Sequence, residues 1–324
     1  MSGTPGGVAV LDLEPATSEF LAEAIAGLSS TPPTLPSKFF YDERGSDLFL
    51  QICEQPEYYI TRTERAILSD FAGEMAESIG ANAELVGFGT GAGLKTRMLL
   101  DKLENPIAYV PVDISKQRLI ESADALQRAM PSLEVLPVCA DYLQPLRLPI
   151  PSREPEHVAV YFPGSTIGNL EPETARNFLT RVCRLSGRSG GLIIGVDLQK
   201  PRAVLEAAYN DRAGVTAQFN LNLLVRANRE LGADFDSACW KHRAIYNDQA
   251  GRIEMHLVAQ SEQHVHLGGR TFVFGRGEKI ITEFSYKHTP EGFVTLAESA
   301  GFRMSRFWTD PKRYFAVFHF VTRS

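Results

Sequence analysis

The stretch Val86-Gly87-Phe88-Gly89-Thr90-Gly91-Ala92-Gly93-Leu94-Lys95-Thr96 decides how this chain folds. A short apolar run, Ala83 to Val86, leads into it, and a helix-like run, Lys95 to Leu103, leads out. Glycines at a strand-to-helix turn let the backbone approach a ligand, because no Cβ stands in the way. The N-terminus of the following helix presents unpaired N–H groups to an anion. Alone, such a turn is a weak signal, and a tight connection with no ligand is the plainer reading.

The pattern then repeats downstream. Ile107 to Val112 is apolar and stops at Asp113, just before a helix starting near Ser115. An acid at the end of the second strand accepts hydrogen bonds from ribose hydroxyls in many nucleotide-binding folds; it also suits a helix N-cap. A third run, Leu133 to Ala140, ends in Asp141-Tyr142; a fourth, His157 to Phe162, ends in Pro163-Gly164-Ser165; a fifth, Gly191 to Val196, ends in Asp197. Helical stretches separate them, so the α/β pattern predicts a parallel, doubly wound sheet. Open sheets of this kind bind ligands at the carboxyl ends of their strands, where the polar and glycine residues cluster. Together these features point to a nucleoside-type cofactor.

Composition narrows the function classes. The chain has 324 residues, 44% of them hydrophobic, enough for a substantial core and for two domains. The net charge of −6, with basic residues scattered, argues against nucleic-acid binding. Cys53, Cys139, Cys183 and Cys239 form no CxxC pair, and Cys239 with His242 lacks a second pair of ligands, so no metal site is expected. Reduced thiols and the absence of a signal-like or membrane-length apolar run fit a cytoplasmic protein with no membrane partner.

Residues 1–8 are rich in glycine and are expected to be flexible. Ser18 to Leu28 reads as an amphipathic helix, and Ser29 to Ser37 as a proline-stiffened connector. Thr61 or Thr63 would cap a helix from Glu64 to Ile79. After Pro201 the rhythm changes. Helices near 203–210 and 216–231 are followed by alternating, antiparallel-type strands in 240–259 and 270–286. A helix at 290–300 and strands at 302–309 and 314–322 close the chain. Such a hairpin commonly ends the parallel sheet of S-adenosylmethionine (SAM)-dependent methyltransferases.

At this point the sequence resembles the histidine Nα-methyltransferases of ergothioneine biosynthesis. The carriers include Lys38-Phe39-Phe40-Tyr41-Asp42, Gly45-Ser46-Asp47-Leu48-Phe49, Pro56-Glu57-Tyr58-Tyr59, Lys95-Thr96-Arg97-Met98-Leu99-Leu100, Gly164-Ser165-Thr166-Ile167-Gly168-Asn169-Leu170, Ala213-Gly214-Val215-Thr216, Arg252-Ile253-Glu254-Met255 and Thr282-Glu283-Phe284-Ser285. The resemblance implies a class I (Rossmann-like) methyltransferase domain, 63–199 with 288–324, and an α+β substrate-binding domain, 9–62 with 200–287. It implies SAM as methyl donor, held by Gly89, Lys95, Asp113, Asp141 and Tyr142. Asp113 would take the ribose, Asp141 the adenine amino group, and Lys95 the methionine carboxylate. The family carries an acid early in the glycine turn, as Val-Glu-Leu-Gly-Ser-Gly, where this chain has Gly87.

For the substrate, L-histidine, the resemblance implies Tyr58, Asn169, Tyr209, Glu283 and Ser285, with Met255, Thr216 and Gly164 lining the site and Tyr41 beside the amine. Tyr41 and Asn169 are the expected catalytic residues. Neutral donors suit a carboxylate, and Glu283 with Ser285, two apart on a strand, face one side and suit the imidazole. Three successive transfers would give hercynine, and a monomer is expected. A tryptophan-type substrate is the nearest alternative, although an indole has little use for a Glu-x-Ser pair. A non-catalytic SAM-binding module and a nicotinamide dehydrogenase are the others.

Overall fold

The computed structural model describes residues 8–13, 17–89 and 93–323. In chain order the elements are β1 (Leu11–Leu13), α1 (Thr17–Leu28), α2 (Glu43–Cys53), α3 (Tyr59–Ile79), β2 (Ala83–Phe88), α4 (Leu94–Leu100), β3 (Ala108–Asp113), α5 (Lys116–Ala129), β4 (Glu134–Val135), β5 (Val138–Ala140), β6 (His157–Phe162), α6 (Pro172–Ser186) and β7 (Gly191–Asp197). There follow α7 (Arg202–Tyr209), α8 (Val215–Leu231), β8 (Trp240–Asn247), β9 (Arg252–Ala259), β10 (Gln263–Leu267), β11 (Arg270–Phe274), β12 (Lys279–Tyr286), α9 (Pro290–Ser299), β13 (Phe302–Thr309) and β14 (Phe315–Thr322).

Two compact units emerge. Residues 8–13, 60–89, 93–199 and 287–323 form the first, and 17–59 with 200–286 the second. Residues 9–13, read from sequence with the substrate domain, group with the first unit instead, because β1 pairs in parallel with β5. Of the segment 1–8 expected to be flexible, residues 1–7 lie outside the described residues. The Val8 N–H donates to Asp124 Oδ1 at 3.0 Å.

The first unit is built on one sheet in the order β1-β5-β3-β2-β6-β7-β14-β13, with β4 beside β3. Strands β1 to β7 pair in parallel, and β14 and β13 close the sheet antiparallel. Strand β2 is buried along its whole length, as a strand covered on both faces must be. Val86, Phe88, Val160 and Phe162 pack with Phe178 and Leu179 of α6 and Phe293 of α9 on one face. From β2 the chain moves to β3 on one side and later returns to β6 on the other. That reversal is a topological switch point at the carboxyl ends of β2 and β6, the usual ligand position in open α/β sheets.

The second unit holds the antiparallel sheet β12-β9-β8 and the separate hairpin β10–β11. Helix α8 is its central support: Phe219 packs against Phe40 with ring centroids 4.4 Å apart and against Phe49 at 6.0 Å. Some expected bounds move. Helix α3 begins at Tyr59, so Thr61 and Thr63 lie inside it rather than capping it. The expected strand 133–140 is broken into β4 and β5 at Leu136-Pro137, where proline offers no N–H to a ladder.

Burial in this fold makes it acid-sensitive. His319 of β14 is 3% exposed, and burial, helped by Arg306, pulls its pKa down to about 4. His288 is pulled to about 4 by burial and Lys287, against Asp197. A histidine whose folded pKa is depressed contributes full stability above its unfolded value near ~6.5 and loses it as pH falls toward the folded value. Each therefore withdraws up to roughly 3 kcal/mol over that window. Urea midpoints are expected to fall steeply between pH about 6.5 and 4, and His319→Leu should flatten the decline. An unchanged slope in that variant would assign the acid sensitivity elsewhere.

Candidate active site

The carboxyl edge of the first sheet carries the residues expected to hold the methyl donor. Gly89 follows β2 with φ +59, and an added Cβ there would reach Phe162 and Tyr142 only at 3.8 Å. Thr90, Gly91 and Ala92 of the glycine turn lie outside the described residues. Asp113 ends β3, and its Oδ1 accepts the Ser115 N–H at 2.9 Å, which fixes the side chain at the helix start. Asp141 follows β5 and accepts the Leu143 N–H at 2.8 Å. The half-buried Tyr142 ring packs 5.5 Å from Phe162 and 5.7 Å from Phe178. Its hydroxyl pKa is pushed up by burial and then by Asp141 and Asp113, so both acids share its corner. Two carboxylates beside an aromatic wall form an acceptor set that suits a hydroxylated sugar and an amino-bearing base.

Lys95 is less simple than a free helix lysine. Its Nζ lies 2.5 Å from Glu64 Oε2, and the Glu64 side chain is 0% exposed. Both Glu64 oxygens also lie 3.0 Å from the Gly164 N–H. A Cβ on Gly195 would sit 2.2 Å from Glu64 Oε1, so the strand position opposite must stay glycine. One acid of α3 thus fastens the start of α4 and the loop after β6. In that loop Ser165 takes φ +59, rare outside glycine, and its Oγ accepts the Asp197 N–H at 2.9 Å. Asn169 ends the following 3-10 turn, partly exposed.

The residues expected to hold the amino-acid substrate lie mostly in the second unit, and there they converge. The Tyr209 hydroxyl is 2.9 Å from Ser285 Oγ, both buried. The Tyr58 ring lies 6.3 Å from Tyr209 and 6.3 Å from Phe49. Burial raises the Tyr58 hydroxyl pKa, and Tyr209, Cys53, Tyr41 and Glu283 add to the rise in that order. Glu283 pairs across the sheet with Met255, which places those two side chains on one face. Thr216, in the first turn of α8, gives its N–H to Asp211 Oδ1 at 2.8 Å. Tyr41 packs edge-on to Phe49 and Phe219 at 5.7 and 5.9 Å. Its neighbour Asp42 anchors it by accepting from Gly45 N at 2.7 Å, Asn222 Nδ2 at 2.8 Å and Arg229 Nη2 at 2.7 Å. Asn169 and Gly164 belong to the first unit.

Glu64 was missed from sequence as a functional residue because it reads as an ordinary helix-start acid. The signal was available: Ile60, Glu64, Ile67, Leu68 and Met75 fall on one buried helical stripe, and a carboxylate there needs a partner. Among the described residues, no group of His, Cys, Asp and Glu side chains forms a metal site, and no helix is long and apolar enough to cross a membrane.

Removing one partner of a buried ion pair leaves an uncompensated charge. Lys95→Met is therefore expected to destabilise the protein by about 3–5 kcal/mol in urea unfolding. Adding Glu64→Gln, whose amide oxygen still accepts the Gly164 N–H, should recover most of that loss. Equal stability of the single and double variants would show that Glu64 does not depend on Lys95.

The chain matches the protein family described as "Histidine-specific methyltransferase, SAM-dependent" over residues 20–322. It is 41% identical to a histidine N-alpha-methyltransferase of Mycolicibacterium smegmatis over 298 residues, covering 90% of this chain and 91% of that protein. A histidine N-alpha-methyltransferase of Mycobacterium tuberculosis is also 41% identical, with 89% and 90% covered. Ergothioneine biosynthesis protein 1 of Schizosaccharomyces pombe is 25% identical, and the match spans 83% of this chain and 36% of that protein. The sheet order, the acids at the strand ends and this match agree: the chain belongs to the histidine-specific, SAM-dependent methyltransferase family and has its class I α/β fold.

Proposed function

We propose that this protein transfers the methyl group of SAM to the α-amine of L-histidine, in successive rounds that end at the betaine hercynine, for ergothioneine biosynthesis. The observation that carries this reading is the buried Tyr209–Ser285 hydroxyl pair with Glu283 two residues away on the same strand. Such a pair gives an imidazole an acceptor and a second polar partner, a demand that an indole or an aliphatic side chain does not make. The names of the 41% identical relatives support it. We infer a monomer in the cytoplasm with no membrane partner, and the net charge of −6 argues against nucleic acid as a partner.

When bound, SAM supplies a methyl carbon already activated by the sulfonium charge, so the protein's task is orientation and exclusion of water. Asp113 and Asp141 hold the ribose and base, Tyr142 walls the base, and Gly89 leaves room for the backbone to approach. Lys95, with one side of its ammonium on Glu64, offers its remaining N–H groups to the methionine carboxylate. On the amino-acid side, the raised pKa keeps the Tyr58 hydroxyl a neutral donor at physiological pH, suited to a carboxylate. Tyr209 suits the same end of the substrate, and Glu283 with Ser285 the ring, with Met255 and Thr216 lining that part of the site; the resemblance adds Asn169 and Gly164 from the first unit. Tyr41 orients the amine, which must lose a proton before it attacks. Gripping the substrate by carboxylate and ring leaves the nitrogen free to lose one N–H in each round.

Incubation with SAM and each common amino acid, followed by mass spectrometry, is expected to add methyl groups to histidine alone. Methylated tryptophan instead would move the assignment to another amino acid, and no product would favour a binding module. Glu283→Ala should raise the KM for histidine about tenfold or more while SAM binding stays unchanged. An unaltered histidine KM would remove Glu283 from the site.

A further inference from the structure

Strand β12 does not alternate evenly. Lys279, Ile280 and Ile281 pair with Val258, Leu257 and His256, and the next pair is Glu283 with Met255, so Thr282 is an extra residue. An unbroken ladder would pair Thr282 with Met255 and Glu283 with Glu254. Glu283 would then lie on the opposite face, with Glu254, Arg252 and His256, and two carboxylates would stand directly across from each other. The bulge at Thr282 is what turns Glu283 and Ser285 onto the Met255 face.

Thr282 is 1% exposed, and its Oγ1 donates to Asn220 Oδ1 at 2.7 Å, with the Met255 carbonyl 3.1 Å away. Asn220, on α8, is 0% exposed. Its Nδ2 lies 3.2 Å from the His256 carbonyl and 2.9 Å from His242 Nδ1. A carbonyl can only accept, which fixes the amide nitrogen on that side and makes His242 Nδ1 an acceptor. His242 Nε2–H then donates to the Tyr209 carbonyl at 2.8 Å. Tyr209 in turn meets Ser285 through its hydroxyl. One buried amide thus braces the bulge on one side and, through His242, the Tyr209 main chain on the other.

We propose that Asn220 and Thr282 are positioning residues that set the phase of Glu283 and Ser285, and so determine selectivity for the imidazole end of the substrate. This rests on the reading that Glu283 and Ser285 receive the ring. Neither residue needs to touch the substrate; Thr282 acts through the strand and Asn220 through Thr282 and His242.

The test is steady-state kinetics of Thr282→Val, which keeps shape and removes the donor, beside Thr282→Ser, which keeps the donor. Thr282→Val should raise the KM for histidine about tenfold, with the KM for SAM within about twofold of the parent. Thr282→Ser should return the histidine KM to near the parent value. In a Glu283→Ala background, Thr282→Val should add little further, since coupled residues are not additive. If the valine variant does not fold, Asn220→Ala and Thr282→Ala replace it, with the same rise expected. A histidine KM unchanged in a folded valine or alanine variant, in an enzyme whose parent methylates histidine, would overturn this role alone. A parent that leaves histidine unmethylated would overturn the assigned reaction, and this role with it.

Discussion

The first unit depends on a carboxylate that water cannot reach. Removing the charge of Glu64 from solvent carries a penalty that only a close cation and well-aimed donors can offset. Lys95 and the Gly164 N–H provide them, from α4 and from the loop after β6. The acid itself comes from α3. Three segments far apart in sequence are therefore tied at the carboxyl edge where the sheet reverses direction. The close approach to Gly195 shows how little slack remains, since even a methyl group there would collide with the carboxylate.

The second unit solves a related problem with neutral groups. Tyr58, Tyr209, Ser285, Asn220 and Thr282 are all buried, and nothing but hydrogen bonding and packing offsets their desolvation. Placing phenols and amides there instead of charges avoids the cost of burying unpaired ions. A set of charged side chains in this unit lies on the other face of the β8-β9-β12 sheet. There Arg252 reaches Glu254 at 2.8 Å and lies 3.6 Å from the Phe284 ring centroid.

The parallel strands and their acidic ends were legible because they follow from composition within a few residues: apolar runs, glycines and a terminal carboxylate. Asp113 and Asp141 stand at strand ends for that reason. What depended on distant partners was not legible. The three residues of β1 are meaningful only beside β5, and the break at Leu136-Pro137 only within a ladder. The two-residue spacing of Glu283 and Ser285 predicted a shared face, but not which face. That choice belongs to a bulge whose brace, Asn220, lies 62 positions away. The roles of Glu64 and Asn220 were hidden likewise, because a polar residue announces burial only when its helical phase is read against the residues around it.

The same reasoning bears on Gly87, where the resemblance implies an acid. Gly87 pairs across the sheet with Tyr161, so the two positions share a face. The Tyr161 ring is fully buried, and its hydroxyl pKa is raised by burial and next by Glu64. The negative charge that acts on Tyr161 thus comes from Glu64 of α3, beside a tyrosine whose strand neighbour has no side chain. A second carboxylate at position 87 would share the buried face of Tyr161, on which Glu64 already acts, and like charges in a dry site disfavour one another. A glycine at position 87 and a lysine-bound Glu64 are, on these grounds, electrostatically consistent features of this chain.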